Sequence, residues 1–574
     1  MNRKVSRFVI LVALLCSGLL FPSTSAKPET NLSVFYTNQF LGGTERSHQL
    51  DSIPQIFSTS PTQNELNVAR SASISVTFDV NMDPATINDS TFVVYTRYTG
   101  RHQGTINYDH QTRTAVFDPI NDFKAGELVT VVLTTGIKSS GGMPLDSSYI
   151  WSFNISVKRT AGIFSPDSTY PVSDTPRSVY AADLDGDGDL DLATAGGNPG
   201  KVTILLNNGD GTFVSDSVYS INGYPLSICA ADLDADGDID LAIAVEEPEY
   251  MGNVTILFNN GDGTFGPPSS YPVGSAARSI LAADLDGDGD LDLAVGQYFA
   301  NQRVSILLNN GDGTFVHFSD CPTSGGSYSL YAADLDGDKD LDLATVNGFS
   351  GSVSVLLNNG QGSFVFDTSY ASGYGPFAVF AADLNGDGNN DMAAANHYSE
   401  YFGYVSIFLN NGDGKFSRDS MYWTSMATNS IFAADLDGDS DLDLAGTDQL
   451  SEDAAVLLNN RDGRFTVDSF YSVGLSPLAI FAADLDNDGD LDLATANSLS
   501  NNVSVLLNSL SIDPNGDAQI TIADVVYLVN YLFKGGPTPQ PIQAGDANCD
   551  GRVTISDAVY LISYLFKGGP TPKC

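Results

Sequence analysis

Seven times along this chain the same acidic motif returns. The stretch "AADLDGDGDLDLA" at Ala181 places five aspartates on alternate positions, and its first aspartate recurs at Asp183, Asp232, Asp284, Asp334, Asp383, Asp435 and Asp484, at intervals of 49 to 52 residues. Self-similarity at a period of this length marks a propeller, a solenoid or an array. Each unit carries four short β-rich runs: "RSVYAAD" before the acidic loop, "LDLATA" after it, and two that flank an Asn-Gly-Asp-Gly turn, as in "VTILLNNGDGTF". Asn-Gly and Asp-Gly pairs are hairpin chemistry, and four strands per unit is the content of one propeller blade. The ends of the array are complementary. "AGIFSPDSTYPV" precedes the first acidic loop and resembles the last strand of a unit, while the final unit stops at "NNVSVLLNS" without that strand. Closing a ring of seven blades by this exchange removes sheet edges that would otherwise be exposed.

Charge sets the next constraint. The 574 residues include 70 Asp and Glu against 26 Lys and Arg, a formal net charge of −44, while 42% hydrophobic content supplies real cores. Such a polyanion avoids nucleic acid and anionic membrane surfaces. Within one loop, two carboxylates about 4 Å apart repel by roughly 4 kcal/mol at the dielectric of a protein surface. A bound cation removes that repulsion. The N-terminus reads as a secretory leader: basic Arg3, Lys4 and Arg7, an apolar run from Phe8 to Leu20, and a small-residue cleavage pattern at Thr24-Ser25-Ala26. The expected location is therefore secreted, extracellular or cell-surface associated. Of the mature cysteines, Cys549 and Cys574 are the plausible disulfide pair, and Cys229 and Cys321 are expected as solitary buried thiols.

The units "SVYAADLDGDGDLDLATA…VTILLNNGDGTF" resemble the FG-GAP, or VCBS-type, repeats of integrin-like β-propellers. The resemblance covers about 350 residues and implies a seven-bladed propeller with calcium in inter-strand loops. Calcium takes six to eight oxygens, and D-x-D-x-D-G-x-x-D supplies them. The candidate ligands are Asp183, Asp185, Asp187, Asp189 and Asp191 in loop 1, with Asp189 giving its backbone carbonyl and Gly188 the sharp turn. Their counterparts are Asp232, Asp234, Asp236, Asp238 and Asp240 in loop 2, and Asp284, Asp286, Asp288, Asp290 and Asp292 in loop 3. Loop 4 offers Asp334, Asp336, Asp338, Asp340 and Asp342; loop 5 offers Asp383, Asn385, Asp387, Asn389 and Asp391. Loop 6 offers Asp435, Asp437, Asp439, Asp441 and Asp443; loop 7 offers Asp484, Asp486, Asp488, Asp490 and Asp492. Lys339 and Ser440 stand where the other five loops have glycine, so loops 4 and 6 are expected to be weaker sites. Asp210 and Asp262, in the Asn-Gly-Asp-Gly turns, are expected to form hairpins and not to bind metal.

From Asp513 the pattern changes. "DPNGDAQITIAD" and "DANCDGRVTISD" each fit a twelve-residue calcium loop. The ligands are Asp513, Asn515, Asp517, Gln519, Thr521 and Asp524, then Asp546, Asn548, Asp550, Arg552, Thr554 and Asp557, with Gln519 and Arg552 giving carbonyls. Each loop opens directly into a helix, "VVYLVNYLF" or "AVYLISYLF". This pair resembles the duplicated type I dockerin, which implies calcium-dependent folding and a cohesin-domain partner. Positions 10 and 11 depart from the family's polar pair, being Ile522-Ala523 and Ile555-Ser556. Val526, Tyr527, Leu528 and Phe533 are expected to pack between the two helices. The two "YLFKGGPTP" copies imply near two-fold symmetry and two alternative docking faces.

Residues 51–157 lack the acidic repeat. Alternation at Ile74, Val76 and Phe78, then "VTVVLTTGI" and "YIWSFNISV", gives short strands of a sandwich, and "VTFDVNMDPATIN" resembles bacterial Ig-like domains, which are usually spacers. Trp151 is expected in its core. The expected fold is thus mainly β: a leader (1–26), a linker (27–50), an Ig-like sandwich (51–157), a seven-bladed propeller (158–508) and a small all-α dockerin (509–574). The expected ions are about seven calcium in the propeller and two in the dockerin.

Five histidines form no cluster, and neither G-x-S-x-G nor H-E-x-x-H is present. The clustered aspartates are already claimed by calcium, so the reading is a binding protein without catalytic residues. The alternative is a carbohydrate-active enzyme, a polysaccharide hydrolase or lyase. Tyr298, Phe299, Tyr398, Tyr401 and Phe402 either stack on sugar rings or fill gaps between blades.

Overall fold

A computed structural model describes residues 53–508 except 161, 300–301, 400–401 and 425–427, and, in the C-terminal module, 514–515, 520–539, 542–548 and 552–567. The leader, the linker, Cys549 and Cys574 lie outside the described residues, as do the side chains of Tyr398, Tyr401 and Phe402.

Residues 164–508 form seven four-stranded antiparallel sheets. In blade 1 the order from the axis outward is Pro176–Ala182, Asp191–Gly196, Gly200–Asn207 and Phe213–Ile221. Blade 7 contains Pro477–Ala483, Asp492–Asn497 and Asn502–Asn508, and its outer strand is Phe164–Pro171, paired from Asn508↔Phe164 to Asn502↔Pro171. The complementary ends therefore close the ring. The second strand of each blade is buried on both faces, as in "DLATAG" (Asp191–Gly196), and reads as a continuous apolar run. The outermost strand alternates toward solvent.

Asn207, the first asparagine of "NNGDGTF", links one blade to the next. Its side chain donates to the carbonyls of Leu190 in its own blade (2.9 Å) and Leu485 in blade 7 (2.8 Å). Asn259 reaches back in the same way to Leu184, Asn309 to Leu233, Asn358 to Leu285, Asn410 to Leu335, Asn459 to Leu384 and Asn508 to Leu436. One hydrogen-bonded side chain thus crosses every seam of the ring. The sequence reading saw only turn chemistry in these residues.

The Ig-like segment forms two four-stranded sheets around Trp151, Phe78, Phe92, Phe123 and Phe153. Trp151 is buried, as expected, and donates to the Pro61 carbonyl at 3.1 Å. This module is not a detached spacer. It and the segment after it contact every acidic loop of the propeller. Lys124 Nζ donates to the Gly188 carbonyl of loop 1, and the Tyr95 hydroxyl to Gly289 of loop 3. Ile150 N donates to Lys339 (3.2 Å) and Asn64 Nδ2 to Gly388 (3.2 Å). Lys158 N donates to Gly489 (2.7 Å) and Thr160 N to Asp437 (2.8 Å). Gly100 lies against loop 2 at φ +71°, where an added Cβ would stand 2.4 Å from Ile239 Cδ1. In five of these contacts the accepting carbonyl belongs to the sixth loop residue, the position that turns the chain.

The turn between strands Phe92–Thr96 and Gly100–Arg101 enters the propeller axis. Tyr98 is fully buried. Its hydroxyl donates to Ala482 O (2.9 Å), its carbonyl accepts from Asp183 N (3.1 Å), and its ring meets Phe481 edge-on at 6.1 Å. The Arg97 guanidinium lies over Phe432 (5.1 Å) and Phe380 (5.7 Å).

Candidate metal centres and docking helices

Each acidic loop joins the innermost strand of a blade to the second. Its first, third and ninth residues converge. Carboxylate oxygens of Asp183, Asp185 and Asp191 lie within 4.8 Å of one another, as do those of Asp232, Asp234 and Asp240, of Asp284, Asp286 and Asp292, of Asp334, Asp336 and Asp342, and of Asp435, Asp437 and Asp443.

The other positions have local work. Asp185 Oδ1 accepts from Asp187 N (3.2 Å) and Asp187 Oδ1 from Asp189 N (2.8 Å), turns that recur in the sister loops and curl the backbone around the cluster. The ninth residue is the most committed to the fold. Asp191 Oδ2 accepts from Leu184 N (2.9 Å) and Oδ1 from Asn207 N (2.8 Å). Asp189 points outward and accepts from Asn487 Nδ2 of blade 7 at 2.7 Å. In loop 5, Asn385 and Asn389 donate to the two oxygens of Asp387, at 3.1 and 2.9 Å. The hairpin aspartates behave as expected: Asp210 Oδ1 accepts from Thr212 N (3.2 Å) and Asp262 Oδ1 from Thr264 N (3.1 Å).

These sites are electrostatically incomplete without a cation. Burial is the largest cause, with neighbouring carboxylates adding to it, and together they push Asp191 up to about 7, Asp240 to about 8 and Asp292 to about 9. Both carboxylate oxygens of Asp232 and Asp490, and one of Asp484, lack a hydrogen-bond partner among the described residues although they are buried. Orphaned hard oxygens beside converging carboxylates fit a hard divalent ion such as calcium. Among the described residues, three loops carry a basic side chain of the protein's own. Lys339, at φ +79°, turns its ammonium back onto Asp334 Oδ2 of loop 4 at 2.8 Å, Arg461 approaches Asp439 (3.6 Å) and Asp441 (3.8 Å) of loop 6 near Ser440, and Lys158 Nζ meets Asp488 Oδ2 of loop 7 at 2.9 Å.

In the C-terminal module, helices α1 (Ile522–Lys534) and α2 (Ile555–Lys567) follow the two loops. Asp524 Oδ2 accepts from Thr521 N (2.7 Å) and Oδ1 from Asn515 N (3.3 Å); Asp557 repeats this with Thr554 N (2.6 Å) and Asn548 N (3.2 Å). The twelfth loop residue therefore both caps its helix and ties back the loop. Asp546 is buried and Arg552 exposed. Asp513, Asp517, Gln519 and Asp550 lie outside the described residues. Val525, Leu528, Ala547, Ala558 and Leu561 form the core.

The expectation that Val526 and Phe533 pack between the helices is wrong. They are 53% and 65% exposed, while Leu528 is buried and Tyr527 is partly buried with its hydroxyl on Thr538 O (3.2 Å). Ile522, Val526 and Phe533 form one exposed apolar face. Ile555, Val559 and Phe566, each 33 residues later, form its twin.

Cys229 and Cys321 are free and buried. Tyr298 packs edge-on against Tyr328 (5.2 Å), and Phe299 stacks on Tyr250 at 4.4 Å and 3°. Tyr298 is half-buried, whereas the stacked Phe299 and Tyr250 are exposed.

Comparison with known proteins matches these parts to three families. A bacterial Ig-like domain covers residues 51–155 and a dockerin type I domain covers 511–566. An FG-GAP-like repeat matches 183–243, 232–295, 284–345, 345–394, 383–446 and 435–495. No curated protein matches the chain. Among solved structures, BBS1N in its complex with ARL6DN is 14% identical, covering 61% of this chain and 98% of its own with a TM-score of 0.45. A functionally unknown protein from Desulfotomaculum acetoxidans DSM 771 is 10% identical over 64% and 96%, with a TM-score of 0.38. Dockerin domains bind calcium and attach their carriers to cohesin-bearing complexes, and FG-GAP repeats build propeller-like binding modules. The chain belongs to the FG-GAP-repeat family, with a bacterial Ig-like domain before the repeats and a type I dockerin after them.

Proposed function

We propose that this is a secreted calcium-binding protein whose dockerin (509–574) fastens it to a cohesin-bearing partner or cell-surface assembly, while its propeller (158–508) holds a protein or carbohydrate ligand. The Ig-like module (51–157) acts with the propeller and not as a stalk, because its contacts reach acidic loops 1 to 5 and the segment that follows it reaches loops 6 and 7. A leader (1–26) and a linker (27–50) precede it.

The observation that carries the attachment reading is the pair of equivalent apolar faces on α1 and α2. An exposed helical stripe of this kind is a docking face in search of a groove. In the propeller, the first, third and ninth loop residues would hold the ion, with the fifth side chain and the seventh carbonyl completing its oxygens. Bound calcium replaces carboxylate repulsion with attraction and fixes the loops on which the Ig-like module rests.

The test is capture of the full chain on immobilised type I cohesins, in calcium and in chelator. Calcium-dependent capture is expected, and folded, calcium-replete protein that no cohesin retains would overturn the attachment. A glycan array run in the same two conditions tests the propeller. Release of products from plant or algal polysaccharides favours the enzyme reading.

A further inference from the structure

One position of the innermost strand, the residue before "AAD", faces the propeller axis in every blade: Tyr180, Cys229, Leu281, Tyr331, Phe380, Phe432 and Phe481. Five of these are aromatic and form an unbroken arc from blade 4 to blade 1. Tyr331 meets Phe380 at 4.2 Å, Phe380 meets Phe432 at 5.3 Å, Phe432 meets Phe481 at 4.9 Å, and Phe481 meets Tyr180 at 4.6 Å. Blades 2 and 3 break the arc with the smaller Cys229 and Leu281. The axis holds a cavity of about 410 Å³ between the innermost strands of blades 2 to 6 and the Ig-like module.

Arg97 stands in the wall of this cavity. Its guanidinium is held by the two phenylalanine faces and by one hydrogen bond, Nη2 to the Tyr331 hydroxyl at 2.7 Å. It forms no ion pair with an acidic side chain among the described residues, in a protein with 70 of them. A guanidinium has five donors in a fixed fork, and a charge taken into a protein interior is ordinarily paired. Of the buried carboxylates nearby, Asp284, Asp334 and Asp383 line the loop end of the cavity as first residues of their acidic loops, and Glu127 accepts from Tyr98 N (3.1 Å), Thr99 Oγ1 (3.3 Å) and Lys124 N (2.9 Å) and serves the turn itself. The volume lies within the range of small-molecule sites.

We propose that the axial cavity binds a small organic carboxylate the size of a hexuronic acid, its carboxylate forked by Arg97 and its ring against the aromatic arc. The fork matches carboxylate geometry, and flat apolar walls suit the C–H face of a sugar ring. The Ig-like module covers the loop end of the axis. At the opposite end Arg177 and Arg278 stand near the starts of two innermost strands, with Arg278 over Tyr328 at 4.3 Å, cations that favour an anion in an otherwise acidic protein. The inference goes beyond the attachment reading and does not depend on it.

The test is calorimetric titration of the calcium-loaded full chain with galacturonate, galactose, acetate and sulfate. Saturable one-to-one binding of galacturonate, with none of its neutral twin galactose, is expected. Arg97→Met weakens it tenfold or more while the chain keeps its calcium-dependent melting, and Arg97→Lys falls between. If Arg97→Met does not fold, Leu281→Phe decides. It places in blade 3 the ring that blades 5 to 7 already carry, narrows the cavity while leaving Arg97 unchanged, and is expected to abolish binding. No heat from galacturonate, which leaves water alone in the cavity, overturns the proposal. So does equal binding of sulfate, equal affinity in Arg97→Met, or retained binding in Leu281→Phe.

Discussion

Asn207 Nδ2 in blade 1 donates to the carbonyl of Leu485 in blade 7 at 2.8 Å, across the seam between the first blade and the last. The same side chain bonds Leu190 O, and its backbone N–H is held by Asp191 Oδ1. Asn207→Ala strips the side-chain donor from two buried carbonyls, and each orphaned acceptor costs about 1–3 kcal/mol. A lower urea midpoint is expected, with a similar loss for Asn358→Ala, because the chain runs continuously across both seams. Equal midpoints for Asn207→Ala and wild type would show that the seam rests on apolar packing alone.

Removing calcium should make stability depend on pH in a defined direction. Asp191, Asp240, Asp292 and Asp342 are pushed up to about 7, 8, 9 and 8, chiefly by burial and then by neighbouring carboxylates. The unfolded chain titrates them near ~4. Between about pH 4 and 9 the metal-free fold therefore holds more protons than the unfolded chain, so its stability falls as pH rises through that window. In chelator the melting temperature is expected to be higher at pH 5 than at pH 8. In calcium the order reverses, because the ion binds the ionised form and competes with protons. Scanning calorimetry at both pH values, with and without chelator, checks both signs.

How much of this was legible in the sequence depends on whether a residue acts within its own repeat. Asp183, Asp185 and Asp191 announce themselves by spacing, and Phe164–Pro171 by its likeness to the strand missing from blade 7. Asn207 was in plain view at the same position of every unit, but turn formation already explains an Asn-Asn-Gly run, and nothing local shows that its amide reaches a neighbouring blade. Arg97 and Tyr98 carry no signal at all: an Arg-Tyr turn in a sandwich looks the same whether it meets water or a propeller axis. Val526 and Phe533 misled for another reason. Both sides of α1 are apolar, and with core and docking faces each about one stripe wide, composition does not say which is which.

Lys339 offers an opposite pair of outcomes from one substitution. Its ammonium neutralises Asp334 at 2.8 Å and its backbone sits at φ +79°, which glycine adopts without strain. Lys339→Gly is expected to lower the melting temperature in chelator, where the carboxylates lose their internal cation. In calcium it raises the melting temperature and tightens ion binding at loop 4. Equilibrium dialysis with elemental analysis reads the second effect, and a loss in both conditions would show that loop 4 relies on lysine alone.

The twin faces of the dockerin predict redundancy. Phe533 and Phe566 are 65% and 67% exposed at equivalent ends of α1 and α2. Neither touches the core made by Leu528 and Leu561, so Phe533→Ala and Phe566→Ala leave folding intact. Against a cohesin that captures the wild type, each single variant is expected to bind within about twofold and the double variant to lose binding at least tenfold, about 1.4 kcal/mol. A full loss in one single variant would assign docking to that helix alone.

Tyr98→Ala tests whether the Ig-like module and the propeller are one cooperative body. The substitution removes a fully buried ring, leaves Ala482 O without its donor, and opens a void where the turn fills the axis. Large aromatic-to-alanine changes in cores cost about 3–5 kcal/mol, here charged to the junction and not to either core. Calorimetry of the wild type in calcium is expected to give a single transition for the two modules. Tyr98→Ala splits it in two, because the contacts that remain, hydrogen bonds to loop carbonyls and the packing of Val93, Tyr95, Val132 and Ile150 against Leu291 and Leu341 of the loops, hold only while the loops keep their shape. Chelator should produce the same splitting in the wild type. If the variant instead melts as one transition at the wild-type temperature, the turn fills the axis without fastening it.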